Sequence, residues 1–245
     1  MIRKWQFILV LMAVGACVGR AAVTLADWTF ETSAPNGYGT TIGGIAPEAG
    51  VNAGTSTASG FHVSPSTAWS SPAGNCGTAH SFSADRWGVG DYFQFKTTTL
   101  GYNNIMVAFE QTSSSTGPSA FKLAYSTDGA TYCDIAGDSY IVGMTTWSTT
   151  SGTLKGTVLN FDLSSITAVN NDSVVYFRLI DNNNTAANGG VVGTIGSSRI
   201  DDFTISGVET VPEPAAWGAI SGAGLLALCS LRVWRQCRCS EKSKS

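Results

Sequence analysis

Apolar residues recur at every second position across most of the stretch from Val23 to Gly207, and this period confines the chain to an all-β fold. In Tyr92-Phe93-Gln94-Phe95-Lys96, Phe93 and Phe95 share one face while Gln94 and Lys96 take the other. The same spacing runs through Ile105, Val107 and Phe109, then Phe121, Leu123 and Tyr125. It returns in Leu159, Phe161 and Leu163 and again in Val175, Phe177 and Leu179. Successive side chains of a strand point to opposite sides, so each stretch has one apolar face. A series of one-sided faces is buried most simply when two sheets pack together. No segment of this region carries a helical period. The expectation is an antiparallel β-sandwich over residues 22–210.

The turns agree. Asp128-Gly129 lies between two strand-like segments, a strong hairpin signal. Gly- and Ser-rich breaks at 112–119 and Asn-rich ones at 181–190 separate other strands. Residues 34–80 are the least regular, and are expected to be long loops with short strands over one end of the sandwich. The domain opens with Trp28-Thr29-Phe30-Glu31 and closes with Ile200-Asp201-Asp202-Phe203-Thr204-Ile205. With the Tyr125-Ser126-Thr127-Asp128-Gly129 hairpin, these segments resemble the jelly-roll domains of secreted bacterial proteins. The resemblance implies that the terminal strands lie close together. It implies a fold, not an activity.

The two ends read differently from the body. Arg3 and Lys4 precede an apolar stretch from Phe7 to Val18, and Gly19 and Ala21 fill the positions before a cut at Ala22. This is the pattern of a signal peptide over residues 1–21. Val14-Gly15-Ala16-Cys17 also fits a lipobox, which would make Cys17 a lipidated N-terminus. At the other end, Val211-Pro212-Glu213-Pro214 leads into an apolar run of about 17 residues, 215–231. A basic end, 232–245, follows with Arg232, Arg235 and Arg238. The apolar run is predicted to be a transmembrane helix with its basic end in the cytoplasm. The prolines hold the preceding backbone extended, as a processing enzyme's cleft requires.

Pro-Glu-Pro, a short apolar helix and an Arg-rich end, opposite a signal peptide, closely resemble the PEP-CTERM sorting signal. The resemblance covers residues 211–245. It implies export through the Sec translocon and an inner-membrane intermediate. Handling by an exosortase-like membrane enzyme with a cysteine nucleophile follows. The expected destination is the cell surface or extracellular matrix of a Gram-negative bacterium that makes exopolysaccharide.

Charge excludes one class of partner. Between residues 22 and 210 there are six Lys and Arg against fifteen Asp and Glu, a net of −9, whereas the whole chain carries −3. An acidic body without a basic cluster is not built for nucleic acid, whose binding is driven by phosphate contacts.

Chemistry-bearing residues are few. The two histidines, His62 and His80, stand in no metal pattern, and no Gly-x-Ser-x-Gly elbow nominates a nucleophile. The chain is therefore read as non-enzymatic, with a secreted hydrolase as the reading that has least to carry it. Cys76 and Cys133 are the body's two cysteines, and either pair as a disulfide or remain two separate buried thiols. Strict alternation places Asp201 beside Phe203 and Ile205, unless a bulge at Asp201-Asp202 turns it away. Glu31 and Asp202 are a candidate calcium pair, with a salt bridge to Arg199 or an ordinary strand end as the simpler alternatives. No other cofactor is indicated. Trp69, Trp87 and Trp147 stand near Gly-, Ser- and Thr-rich segments, and are candidate glycan contacts. The function expected is that of a surface or matrix protein associated with exopolysaccharide. The alternative is a carbohydrate-binding module with one defined glycan ligand.

Overall fold

Two antiparallel sheets bury the inward faces anticipated from the alternation. The computed structural model describes residues 20–150 and 156–210. The expected signal segment before residue 20 and the expected sorting tail, 211–245, lie outside the described residues. No helix among the described residues is long and apolar enough to cross a membrane.

The seven-stranded sheet runs in the order β11 (Thr157–Asp162), β8 (Tyr102–Ser113), β13 (Ser198–Glu209), β6 (Phe82–Ala84), β5 (Ala68–Ser70) and β2 (Gly37–Tyr38). The first strand, β1 (Val23–Trp28), also pairs with β13, from Val23 opposite Gly207 to Trp28 opposite Phe203. The chain's opening and closing strands are thus neighbours, and Arg20 and Glu209 form an ion pair of 3.0 Å beside them.

The six-stranded sheet runs β10 (Cys133–Ile141), β9 (Ala120–Ser126), β12 (Val175–Asp181), β7 (Tyr92–Thr97), β4 (Thr57–Phe61) and β3 (Thr41–Ile45). Residues 34–80 therefore do more than cover one end. Their short strands extend both sheets.

Along β7 and β12 buried and part-exposed residues alternate without a break. Phe93 and Phe95 face Phe177 and Leu179 on the inner side, and all four are fully buried. The sheets meet where Phe95 stacks on Phe203, with ring centroids 3.4 Å apart. Trp28 packs edge-on to both. Aromatic faces and edges of this kind contribute beyond the area they bury.

The Asp128-Gly129 hairpin joins β9 to β10. Gly129 has φ +73°, a conformation glycine adopts without strain. Asp128 Oδ1 accepts from the backbone N–H groups of Ala130 and Thr131, which hold its carboxyl down at about 2.

β13 interrupts its own alternation. Its pairing with β8 shifts register between Asp201 and Thr204, and Asp202 has φ +49°. Ile200 and Phe203, three residues apart, are both buried. The bulge turns Asp201 towards the 74–80 loop, where Asn75 N–H and Thr78 Oγ1 donate to its Oδ2 at 2.9 Å each. Asp201 is fully buried, and that burial raises its carboxyl to about 7. Of the two alternatives for Asp201 the bulge is the one present, and Asp201 is covered by a loop instead of by core.

The disulfide expectation for Cys76 and Cys133 is corrected: both are free thiols. Cys133 opens the edge strand β10 of one sheet. Cys76 belongs to the 74–80 loop that binds β13 of the other.

Candidate functional site

The outer face of the six-stranded sheet gathers polar and aromatic side chains that alternation directs away from the core. On β7 these are Tyr92, Gln94 and Lys96, and on β12 Tyr176, Arg178 and Ile180. Register sets Gln94 opposite Arg178 and Lys96 opposite Tyr176. Phe61, from β4, lies opposite Tyr92 and stacks on it at 5.6 Å between centroids.

Arg178 is the centre of this face. Its guanidinium carbon lies 3.8 Å from the Tyr92 ring centroid and 3.5 Å from that of Tyr132. Both planar faces of the cation are thus capped by π-systems, an attractive arrangement. Arg178 Nε donates to Gln94 Oε1 at 2.8 Å, and Tyr132 Oη donates to the same oxygen at 2.8 Å. Gln94 Nε2 in turn donates to Ser59 Oγ at 3.2 Å. Burial pushes the Tyr132 hydroxyl up to about 12 against the lowering pull of Arg178, so it remains a proton donor at any physiological pH.

The flanks carry the remaining charge. Lys96 Nζ lies 5.9 Å over the Tyr176 ring. Lys122, on β9, is paired with Asp134 at 2.7 Å. The hairpin approaches Tyr176 so closely that a Cβ on Gly129 would stand 3.0 Å from the ring. The result is a half-buried, pre-formed surface of four aromatic rings around fixed donors. Such a surface can meet a sugar with its part-exposed rings and donate to its oxygens from Lys96 Nζ and the Nη groups of Arg178.

The tryptophans expected to contact glycan are corrected. Trp69, Trp87 and Trp147 are 1%, 6% and 4% exposed, so none presents a ring face to solvent. Trp69 fills the hollow left by Gly60, where a Cβ would come 2.5 Å from the indole, and its Nε1 donates to the Gly39 carbonyl. Trp87 packs on Phe93 and Phe121.

Both tryptophans enclose His62, at 4.6 and 4.3 Å between ring centroids. His62 Nδ1 lies 3.6 Å from Asp91 Oδ2, and both side chains are sealed from solvent. Burial lowers the imidazole to about 3, leaving it neutral. Two surface depressions of about 320 and 350 Å³, one along 32–36 and 42–45, the other lined by Ser113, Ser114, Ser115, Met144 and Arg199, have no carboxylate or imidazole among the described residues of their walls.

Glu31 and Asp202, the candidate calcium pair, are brought to the same loop. Glu31 Oε1 accepts from the His80 backbone N–H at 2.9 Å, and Asp202 Oδ2 accepts from Asn75 Nδ2 at 2.8 Å. Each carboxylate thus spends an oxygen on bracing the 74–80 loop. Among the described residues no three acidic, histidine or cysteine side chains group at metal-binding spacing.

Phe61, Tyr92, Tyr132, Tyr176 and Arg178 were not singled out by sequence. A usable signal existed for three of them, because Tyr92, Tyr176 and Arg178 occupy the polar phase of strands whose apolar phase was read correctly. Tyr132 gave none.

No family model matches the chain, and no curated protein does. Solved structures resemble it remotely. TmCBM61 in complex with β-1,4-galactotriose aligns over 68% of this chain and 81% of its own, at 14% identity and a TM-score of 0.29. The K2 cleaved adhesin domain of Lys-gingipain aligns over 77% of this chain and 99% of its own, at 13% identity and 0.36. The K3 domain of the same protein, from Porphyromonas gingivalis w83, covers 52% and 74%, at 12% identity and 0.29.

Proposed function

We propose that this chain is an exported, envelope-sorted surface or extracellular-matrix protein without catalytic activity. Its sandwich, of jelly-roll type, contacts polysaccharide through the outer face of the six-stranded sheet. One observation carries the polysaccharide half: Arg178 is held between Tyr92 and Tyr132 on the outward side of a sheet. Aromatic rings and fixed donors side by side are what a surface needs to meet a ligand that is apolar on its ring faces and polar at its rim.

The sorting half rests on the two ends of the sequence. The signal pattern over 1–21 takes the chain to the Sec translocon. The Val211-Pro212-Glu213-Pro214 motif, apolar run and basic end suit an exosortase-like enzyme acting at the inner membrane. The mature protein is then a cell-surface or matrix component.

A carbohydrate-binding module with one defined glycan is the second reading. The Gln94 hub favours it, because a guanidinium held through Nε presents its Nη edge in one orientation, which selects for ligand geometry.

Two measurements test the proposal. A glycan array probed with the wild type, Tyr92→Ala and Tyr132→Ala should show binding that both variants weaken. Retention of all binding by both would remove this face from the account. Mass and cell fraction of the native protein, with and without 211–245, test the sorting half. A mature form beginning near Ala22, lacking the apolar run and mislocalised without the tail, supports it. An intact tail in the membrane fraction means a plain anchor.

A further inference from the structure

We infer that the polysaccharide this face takes is anionic, a carboxylate-bearing glycan, an inference that rests on the glycan reading above. The body is acidic, with six basic residues against fifteen acids. Three of those six, Lys96, Lys122 and Arg178, lie on the outer face of the six-stranded sheet, on the adjacent strands β7, β9 and β12. Lys122 is neutralised by Asp134. Lys96 and Arg178 are not: among the described residues no carboxylate lies within ion-pair distance of either. The nearby Asp128 commits its Oδ1 to its own turn, accepting from Ala130 N–H, Thr131 N–H and Ser126 Oγ.

Arg178 binds Gln94 through Nε alone, and none of the described residues accepts from its two Nη groups. With both planes capped by tyrosine, the Nη edge is the direction left for a ligand, and that edge matches a carboxylate in bidentate fashion. Lys96 stands a diagonal step away, since Gln94 and not Lys96 is opposite Arg178. Diagonal neighbours on adjacent strands have side-chain roots roughly 7–8 Å apart. Two uncompensated cations at that spacing repel one another. An anionic chain laid across them relieves the repulsion, whereas a neutral glycan leaves it in place.

The test compares polygalacturonate with its fully methyl-esterified form, which keeps the sugar backbone and removes the charge. Polyacrylate serves as an anion without sugars. Binding to the full-length protein in detergent is measured at low salt and at about 0.5 M salt, where exposed charges are screened within a few ångströms. The expected result is polygalacturonate bound about tenfold more tightly than its ester and than polyacrylate, the first preference shrinking in salt. Arg178→Gln and Lys96→Gln should each reduce the preference for acid over ester about threefold to tenfold. Lys96→Gln serves if Arg178→Gln misfolds, because the Lys96 side chain makes no hydrogen bond to any of the described residues. Equal binding of acid and ester overturns the inference while leaving the glycan reading in place. Polyacrylate bound as tightly as polygalacturonate overturns it in favour of any polyanion. No binding to either pectin, together with an empty array, overturns both readings.

Discussion

Arg178 and Gln94 face each other across β12 and β7 and share a 2.8 Å hydrogen bond, Nε–H to Oε1, on the outer side of the sheet. The same oxygen receives the Tyr132 hydroxyl. One amide therefore fixes a cation and the ring that covers it. Replacing Gln94 by Leu removes the acceptor from two half-buried donors at once. Leaving such donors unmade costs more than the bond itself was worth. The expected loss is about 1–2 kcal/mol in urea unfolding, together with weaker glycan binding. Unchanged binding in a variant that has lost stability would mean the hub serves the sheet and not the ligand.

A second prediction concerns pH. Asp181 closes β12 on the inner side of the sandwich and is 1% exposed. Burial raises its carboxyl to about 7, reinforced by the charge of Asp91 and opposed by the Asn183 backbone N–H. A carboxyl raised in the fold contributes its stability fully below its ordinary value of 3.8 and loses it as pH climbs through about 7. His62 works in the opposite sense. Its fall from 6.5 to about 3 gives stability that is present above 6.5 and lost as pH falls towards 3. Between about pH 4 and 6.5 the His62 trend opposes those of Asp181 and of Asp201, whose carboxyl is also raised to about 7, so the wild-type curve falls less there than the two carboxyls alone would make it. Asp181→Asn keeps the neutral form at every pH. The difference in unfolding free energy between variant and wild type should be near its minimum at pH 4. Above pH 7 it should grow in the variant's favour by on the order of 2–4 kcal/mol. A difference that stays constant with pH would show that Asp181 ionises in the fold as it does in water.

How much of this was legible in the chain differs by element. Phe93, Phe95, Phe177 and Leu179 declared their face because a strand's side-chain period is local. The Asp128-Gly129 hairpin declared itself for the same reason. Trp69 misled because its Gly- and Ser-rich neighbours suggested a loop at the surface. What buries it is the bare backbone of Gly60, nine residues earlier and in the other sheet. Tyr132 follows the hairpin, where no strand period applies, and only tertiary structure brings it over Arg178. Asp201 was read as poised between core and bulge. The missing piece was the 74–80 loop, more than 120 residues distant in sequence, whose N–H groups it binds. Pairings of that span leave no trace in local composition.

Free thiols at Cys76 and Cys133 lead to a third expectation. Cys133 is exposed and Cys76 partly so. Brief alkylation of the native protein followed by peptide mass mapping should label Cys133 faster than Cys76, with no Cys76–Cys133 cross-linked peptide. Cys133→Ser should leave the unfolding free energy within about 0.5 kcal/mol of wild type, as surface substitutions usually do. A cross-linked peptide would require the 74–80 loop and the start of β10 to be rearranged from the geometry described here.

The loop that covers Asp201 has no spare volume at Gly74. A Cβ there would collide with Asp201 Oδ2, with the His80 carbonyl oxygen and with Thr78 Oγ1. Two of these atoms are hydrogen-bonded to each other, Thr78 Oγ1 donating to Asp201 Oδ2 at 2.9 Å, so neither can withdraw without breaking a part-buried hydrogen bond. Gly74→Ala should therefore lift the 74–80 loop off the β13 bulge and leave the Asp201 carboxyl short of donors. Overpacking of this kind costs about 1–3 kcal/mol, and a carboxyl left without its partners adds to that. Hydrogen exchange offers the sharper readout. The Asn75 amide, protected by Asp201 at 2.9 Å in the wild type, should exchange faster in the variant, while the amides of β7 and β12 keep their rates. Uniform acceleration across both sheets would instead show that the bulge and its loop hold the whole sandwich together.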